Sequence, residues 1–310
     1  SRGLGDVYKR QAVSERRKDV EAFWQTGHLK PESNVQFGEG GAGTFSDGKL
    51  MTGIKKDAFT ARVLQELAAA GAPEEILYLA KPHIGTDKLA VVVRRIREKI
   101  ISLGGEYRFE NRLEDLIIRD GKLTGLKIAA PGGEIYEQSA DKLILAVGHS
   151  ARDTFEMLHK NGVYIEQKPF SVGVRIEHAQ KSVDAAQYGR FAGHPALGAA
   201  DYKLAAHFDN GRSAYTFCMC PGGMVVAAAS EPGRVVTNGM SEFARDRENA
   251  NAALLVGVEP RDFGSAHPLA GMYFQRRLEE AAFRAGGGDY RAPAQLVGDF
   301  LKKQVSTAVG

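Results

Sequence analysis

Residues 34–50, NVQFGEGGAGTFSDGKL, contain the stretch around which the chain is organised. Five of the thirteen residues from Gly38 to Leu50 are glycine, and glycine loses too much backbone freedom to lie inside a helix or strand. The stretch therefore predicts a loop, in which successive backbone N–H groups form an anion-binding concavity. A surface linker is the alternative. The strand-like Val35-Gln36-Phe37 before the loop, and the Glu, Thr and Asp between its glycines, favour a phosphate- or cofactor-facing loop.

The composition of the 310-residue chain is that of an ordinary globular protein with one or two domains. Hydrophobic residues make up 43% and charged residues 25%, and the net charge is only +3. Lysine and arginine are scattered, which argues against nucleic acid as a partner. No apolar run of about 18 residues predicts a membrane span, and no secretory signal is visible. The two cysteines do not suggest a disulfide framework, so we expect a cytoplasmic protein.

The first half of the chain alternates helices and strands. Apolar residues at helical spacing predict helices over 13–26, 57–70, 87–103 and 151–160. Asp57 is a possible N-cap of the second helix, and Asp120-Gly121 is typical of a hairpin turn between strands 113–118 and 123–128. Residues 107–109 also have a strand pattern. The almost wholly apolar run 142–147 predicts a strand buried on both faces, as in a parallel sheet.

The second half is richer in strands. Patterns with a period of two predict strands over 170–176, 202–208, 213–219, 224–229 and 253–258. Helical patterns occur only around 180–186 and 274–285. We therefore expect an antiparallel-rich α+β domain, with a boundary near 162–169.

An ordered series of motifs resembles a family of bacterial FAD-dependent dehydrogenases, similar to the wider glutathione-reductase-type flavoproteins. Besides 34–50, the motifs are KPHIGTDKL (81–89), LILAVGHSARDTFEML (143–158), KPFSVGVRIEH (168–178), YTFCMCPGG (215–223), ASEPGRVVTNGMS (229–241) and RAPAQLVGDFL (291–301). The resemblance covers nearly the whole chain from about Ser14 onward. It implies an α/β fold, namely an incomplete Rossmann-like FAD-binding domain with an inserted antiparallel-rich α+β substrate domain.

The resemblance also predicts the domain limits. Residues 12–165 are expected to form the partial FAD-binding domain, and 166–310 the substrate domain, which runs toward a missing C-terminal FAD-binding segment. Residues 1–11 (SRGLGDVYKRQ) resemble translated adapter sequence and are expected to be non-native. The chain has no strand followed by G-x-G-x-x-G and a helix, and Gly3-Leu4-Gly5 does not supply that motif. We therefore expect a fragment of a longer protein, shortened at both ends.

The predicted cofactor site is FAD-binding and is assembled from separated segments. Its residues are Gly40, Gly41, Ala42, Gly43, Thr44, Lys49, Leu113, Val147 and Gly148. The glycine loop would approach the cofactor through backbone N–H groups, and Lys49 would neutralise phosphate charge or simply be solvated. The resemblance implies that the main chain of Leu113 meets the adenine, although a core leucine is equally compatible. Val147 and Gly148 end the 142–147 run, where a plain strand-to-helix turn is the alternative.

No catalytic residue can be assigned from the sequence. His149 follows a turn glycine and is more simply structural. Arg175 and His178 are candidates for orienting a carboxylate or another polar substrate. Cys218 and Cys220 lie two apart on a predicted strand, so both thiols should face one side. A redox pair or metal site is one interpretation, but we expect inert packing cysteines and no metal site.

The resulting functional prediction is an FAD-dependent oxidoreductase that transfers hydride or electrons between bound flavin and a small-molecule substrate. NAD(P)H is a possible electron donor, and neither nucleic acid nor a membrane is expected as a partner. The alternative is a non-catalytic flavin- or nucleotide-binding regulatory protein, because no acid, base or nucleophile is compelling.

Overall fold

The computed structural model describes residues 11–50 and 58–307 of the chain. The helices are α1 (Val13–Thr26), α2 (Ala58–Ala69), α3 (Thr86–Ser102), α4 (Arg152–Lys160), α5 (Gln180–Tyr188), α6 (Ala270–Ala285) and α7 (Val297–Leu301). The strands are β1 (Arg112–Arg119), β2 (Lys122–Ala129), β3 (Ile135–Ser139), β4 (Phe170–Ala179), β5 (Ala205–His207), β6 (Ser213–Cys220), β7 (Met224–Ala228), β8 (Val236–Met240) and β9 (Asn249–Val258).

The described strands form three antiparallel sheets. Their orders are β1-β2-β3, β4-β9-β6-β5 and the hairpin β7-β8. The long β4 and β9 pair over their whole lengths, with β4 at one edge of the four-stranded sheet. The prediction of a mixed α/β protein with an antiparallel-rich second half is therefore confirmed. No parallel strand pair occurs among the described residues, so the Rossmann-like part of the prediction is not confirmed.

The run 142–147 is the clearest departure from the sequence prediction. It forms no strand within the described part of the chain, and Ile144 is 91% exposed and Leu145 41% exposed. The prediction of a doubly buried strand is wrong here. A buried strand needs a neighbouring strand on each side to hydrogen-bond its backbone, and an apolar composition does not provide those neighbours. The predicted strand over 107–109 is likewise absent, and 202–208 shortens to β5.

Several local predictions are confirmed closely. Helix α1 has the predicted limits and ends at Gly27, whose φ is 71°. The turn between β1 and β2 places Asp120 and Gly121 at φ 49° and 72°, the left-handed pair of a type I′ turn. The proposed N-cap Asp57 lies outside the described residues. Two elements were missed, the strand β8 and the short helix α7.

A small apolar cluster fixes the glycine-rich loop against the second half of the chain. It contains Val20 of α1, Val35 and Phe45 at the two ends of the loop region, and Ala228 of β7. Trp24 of α1 packs beside it and donates its indole N–H to the Ala227 carbonyl at 2.9 Å. The loop is thus held between helix α1 and the β7-β8 hairpin.

A second junction joins helix α4 to helix α6 through buried charge. Arg152, only 2% exposed, lies within 2.6 Å of Glu231 and also contacts Glu279 at 2.9 Å. Arg276 reaches the same Glu231 at 2.7 Å and Glu156 at 2.7 Å. Arg234 lies 3.7 Å from Glu231 as well. Because Glu231 faces three guanidinium groups, its protonation is coupled to folding.

We predict that Glu231 contributes to acid sensitivity. Burial alone would raise its pKa, but hydrogen bonds from Arg276 and Arg152 outweigh burial and hold the pKa at about 2. A lowered carboxylate pKa stabilises the fold above the unfolded value of 4.5, and this stabilisation is lost as the pH falls toward 2. Because solvent screens this partly exposed carboxylate, the free energy of unfolding of Glu231→Gln should lie about 1–2 kcal/mol below wild type near pH 6. The gap should shrink between pH 4.5 and 2.

Urea denaturation at a series of pH values measures this gap. Glu242→Gln is the matched control, because Glu242 pairs with Arg247 at 3.1 Å while its side chain is 43% exposed. A gap that does not change with pH would contradict the prediction.

Candidate functional site

The glycine loop is organised by a single buried arginine, Arg16 of helix α1. The side chain of Arg16 is completely buried. It donates hydrogen bonds of 2.7–3.4 Å to the carbonyl oxygens of Asn34, Val35, Glu39 and Gly41 and to the hydroxyl of Thr44. Burial lowers the pKa of Arg16 to about 9, while the nearby carboxylate of Glu39 opposes this effect. The carbonyl groups of the loop therefore point inward, toward the guanidinium group.

Glu39 ties the same loop to two helices. One carboxylate oxygen accepts from the Val13 N–H at 2.8 Å, at the N-terminus of α1, and from Arg97 of α3 at 2.6 Å. A carboxylate is favoured at a helix N-terminus by the helix dipole. The other oxygen, Oε1, is buried and has no hydrogen-bond partner among the described residues.

The amide groups of the loop remain available. Within residues 11–50 and 58–307, the N–H groups of Gly40, Ala42 and Gly43 have no hydrogen-bond acceptor. Gly40 and Gly41 have φ values of 87° and 63°, which lie in the left-handed region. A Cβ on Gly41 would meet no atom of the chain within 4 Å. A loop whose carbonyl groups are occupied and whose amides are free is suited to bind an anion.

The sequence predicts that Thr44, like the residues before it, approaches the cofactor through its backbone N–H. Its hydroxyl is buried between Arg16 and the Glu39 carbonyl, and a Cβ on Gly40 would lie 2.1 Å from it. Thr44 therefore shapes the loop from inside. Its backbone N–H donates to the Gly41 carbonyl at 3.3 Å and its carbonyl accepts from the Thr86 hydroxyl, so both groups are already bonded within the protein.

Lys49 is held by the protein rather than left free. Its ammonium lies 2.8 Å from the carboxylate of Asp47 and donates to the Met219 carbonyl. Asp47 is completely buried and also forms a bidentate pair with Arg245. The end of the glycine loop is thereby attached to strand β6 and to the segment after β8.

Arg175 lies on strand β4 beside the cysteines of β6. Its guanidinium donates to the Asn251 side chain at 2.9 Å and to the Cys218 carbonyl at 2.9 Å, and it lies 3.7 Å from the Cys220 sulfur. Gly239 of β8 permits this arrangement, because a Cβ there would lie 2.1 Å from the guanidinium. Lys49 and Arg175 therefore reach the same short stretch of β6 from different sides.

His178 does not join Arg175. Residues three apart on a strand point to opposite faces, and the His178 ring packs against Tyr202 with ring centroids 5.4 Å apart. Burial lowers its pKa, and its Nδ1 atom has no hydrogen-bond partner in the described part of the chain. The two residues predicted to orient one substrate are thus separated by the sheet.

The other predicted cofactor residues lie on separate segments of the chain. Leu113 is on β1, an edge strand of its sheet as described, so that one side of its backbone has no strand neighbour. Val147 and Gly148 end the exposed 142–147 run, and Gly148 has φ 75°. Ser150, just beyond, bonds to Ser230 after β7 at 3.1 Å. No hydrogen bond joins Leu113, Val147 or Gly148 to the glycine loop among the described residues.

Sequence reasoning missed the residues that hold the site together. Arg16 lies in the highly charged run SERRKD, which is typical of a solvated first turn, and nothing local distinguishes it from Arg17. Glu39 and Asp47 lie among the glycines, and the sequence shows that they are charged but not which residues they pair with. Arg245 is 198 residues from Asp47, and that separation hides the pair from any local pattern.

We predict that Arg16→Ala destabilises the fold strongly. It removes a buried cation and leaves the carbonyl groups of the glycine loop without donors. The free energy of unfolding should fall by about 3–5 kcal/mol. Urea denaturation measures the change. Arg17→Ala is the control, because Arg17 is 49% exposed and its pair with Glu21 is a surface contact, so we expect a change within about 0.5 kcal/mol. Equal effects of the two variants would contradict the assigned role of Arg16.

Comparison with known proteins supports a flavoprotein. Residues 169–310 match the model of a family described as "FAD-dependent protein, C-terminal domain-like". This match covers the second half of the chain, and it supports an FAD-dependent family and FAD as the cofactor.

Two other proteins are similar to this chain. An uncharacterized protein of Clostridium beijerinckii is 54% identical over 306 residues, which are 98% of this chain and 56% of that protein. The chain thus spans a little over half the length of this relative. The fold also has some similarity to a triple mutant of the flavin-dependent brominase Bmp2, with 15% identity and a TM-score of 0.35, over 77% of this chain and 55% of that one. A similarity this distant supports no argument about the reaction.

Two kinds of feature are absent from the described residues. No helix there is long and apolar enough to cross a membrane. No group of three or more His, Cys, Asp or Glu side chains there is arranged to hold a metal ion.

Proposed function

We propose that the protein is an FAD-dependent oxidoreductase and that the glycine loop holds an anionic part of the cofactor. The single observation that carries the proposal is the set of free amides at Gly40, Ala42 and Gly43, on a loop whose carbonyl groups are turned inward by Arg16. Such amides match the negatively charged pyrophosphate, or an electron-rich oxygen of the flavin ring. The family match supports FAD as the group bound.

The structure supports distinct contributions from the residues of this loop. The left-handed backbone at Gly40 and Gly41 lets the main chain approach a ligand without an intervening Cβ. Arg16 fixes the loop in advance, so that binding need not order it. Lys49, paired with Asp47, adds a partly compensated positive charge at the far end of the loop. Leu113, Val147 and Gly148 remain proposed FAD contacts from the first half of the chain.

When bound, FAD supplies the hydride or electron transfer, and the protein supplies position and electrostatics. We propose a small-molecule substrate, with NAD(P)H as the candidate electron donor and the segment 166–310 as the substrate region. Within that segment Arg175 offers a fixed guanidinium, while His178 faces the other side of the sheet.

We predict that Gly43→Val abolishes FAD retention without unfolding the protein. Gly43 does not require a left-handed φ, and a Cβ there meets only Leu89 at 4.0 Å, so the chain itself accommodates the side chain. The valine would, however, keep a bound cofactor away from the backbone of the loop. Flavin absorbance after incubation with FAD and desalting measures retention, and thermal melting reports the fold.

Gly198→Val is the matched control. Gly198 also lacks a left-handed φ and has no neighbour within 4 Å of an added Cβ, but it lies outside the proposed site. We expect wild-type flavin retention from this variant. Equal retention by Gly43→Val and wild type would refute the role of the loop.

A separate experiment distinguishes an oxidoreductase from a flavin-binding regulatory protein. We expect anaerobic addition of NADH or NADPH to bleach the flavin band of the purified holoprotein at a catalytically useful rate. Photoreduction with a chemical donor serves as the positive control for flavin competence. A flavin that is photoreduced, but that neither nicotinamide nor a panel of small organic reductants reduces, would support the regulatory alternative.

A further inference from the structure

The cysteines Cys218 and Cys220 lie at an irregularity of strand β6. The pairing of β6 with β9 shifts register between Phe217 and Cys220, and Cys218 has a φ of 46°. Such a bulge redirects side chains that would otherwise alternate regularly. Cys220 is completely buried, whereas Cys218 is only partly buried. One cysteine of the pair is therefore partly exposed and the other is enclosed.

Positive charge surrounds this pair. The Arg175 guanidinium lies 3.7 Å from the Cys220 sulfur and bonds to the Cys218 carbonyl at 2.9 Å. Lys49 contacts the carbonyl of Met219, the residue between the two cysteines. Asp47 is the opposing negative group, and it is itself paired with Lys49 and with Arg245. The balance of neighbouring charge thus favours a thiolate.

The two thiols are also differentiated chemically. The Cys220 thiol donates to the Cys218 carbonyl at 3.4 Å. The pKa of Cys218 is lowered to about 6, first by its interaction with the adjacent Cys220 thiol and then by Lys49 and Arg175, while burial opposes this shift. The pKa of Cys220 is raised, because it keeps the shared proton and because it is buried. Cysteines that only fill a core have apolar neighbours that raise the pKa of each thiol. A lowered thiol pKa beside a raised one is typical of a nucleophile, here Cys218, next to a thiol that keeps its proton, here Cys220.

We propose that Cys218 and Cys220 form a redox pair that reacts with small hydroperoxides, with Cys218 as the nucleophile and Cys220 as the resolving thiol. The partial burial of Cys218 limits access to small oxidants, and Arg175 and Lys49 stabilise the negative oxygen that leaves. This activity is independent of FAD, so that it succeeds or fails separately from the proposed oxidoreductase function.

The reaction is balanced in two steps. The Cys218 thiolate attacks one peroxide oxygen, an S–O bond forms as the O–O bond breaks, and the departing oxygen takes a proton to become water or an alcohol. Cys218 is then a sulfenic acid. Cys220 gives up its proton and attacks that sulfur, so that an S–S bond forms and water leaves. The two sulfurs together supply the two electrons that reduce the peroxide.

The test uses purified protein that has been reduced with dithiothreitol and then desalted. Addition of a few equivalents of hydrogen peroxide should lower the intact mass by two hydrogens, and a peptide linking Cys218 to Cys220 should appear and disappear again with dithiothreitol. Cys220→Ser should stop at the sulfenic acid, which dimedone traps on Cys218. Cys218→Ser should lose reactivity toward peroxide at least about tenfold. Cys220→Ala serves as a second variant if Cys220→Ser does not fold.

Arg175 is assigned as a positioning residue, and the pH profile tests that role. The rate for wild type should rise through a midpoint near the Cys218 pKa of about 6. Arg175→Gln should move the midpoint to higher pH and Arg175→Lys should restore most of the shift, whereas a purely structural role would change the rate without moving the midpoint. The groups that face the thiols in this titration are Cys220, Lys49, Arg175 and Asp47. Folded wild-type protein that yields neither the disulfide nor a dimedone adduct would overturn the proposal.

Discussion

The buried guanidinium of Arg16 is the interaction on which the glycine loop depends. Because it draws the carbonyl groups of Asn34, Val35, Glu39 and Gly41 toward itself, the loop must turn its amides outward. Position 38 requires glycine, since a Cβ there would lie 2.3 Å from the Arg16 side chain. A cation in a protein interior is costly unless it is fully hydrogen-bonded. The carbonyl groups of the loop thus bind the arginine, and its amides are proposed to bind the cofactor.

Buried charge joins the two halves of the chain together with small apolar clusters. The described core is divided into small clusters, and pairs such as Asp47–Arg245 and Arg152–Glu279 lie between them. Buried ion pairs contribute little net stability compared with apolar contacts of the same shape, but breaking one is costly. Such pairs therefore specify which segments meet. This specificity is what a site assembled from residues far apart in sequence requires.

The sequence predicted the elements that depend on neighbouring residues better than those that depend on residues far apart in the chain. Helix α1 and the β1-β2 turn depend on neighbouring residues, and both were predicted almost residue for residue. The run 142–147 was mispredicted because burial of a strand depends on partners that its own composition does not contain. Arg16 was hidden because a buried and a solvated arginine have the same local pattern. The glycine loop itself was recognised, but the reason for its shape lies 18 residues or more away.

The position of Lys49 links the two proposed sites. Lys49 follows the glycine loop directly and contacts the backbone between Cys218 and Cys220, while Asp47 anchors the same turn to Arg245. A shift of the loop on ligand binding would therefore change the distance of this cation from the thiols, and Coulomb interactions at such short range are sensitive to small displacements. Oxidation of the thiols would in turn remove the charge of the Cys218 thiolate, while Asp47 would still face Lys49 at 2.8 Å. Coupling between sites is reciprocal in free energy, so any effect of a bound anion on the thiols would be matched by an equal effect of the thiols on the affinity of the loop for that anion, although the peroxide reaction itself needs no FAD.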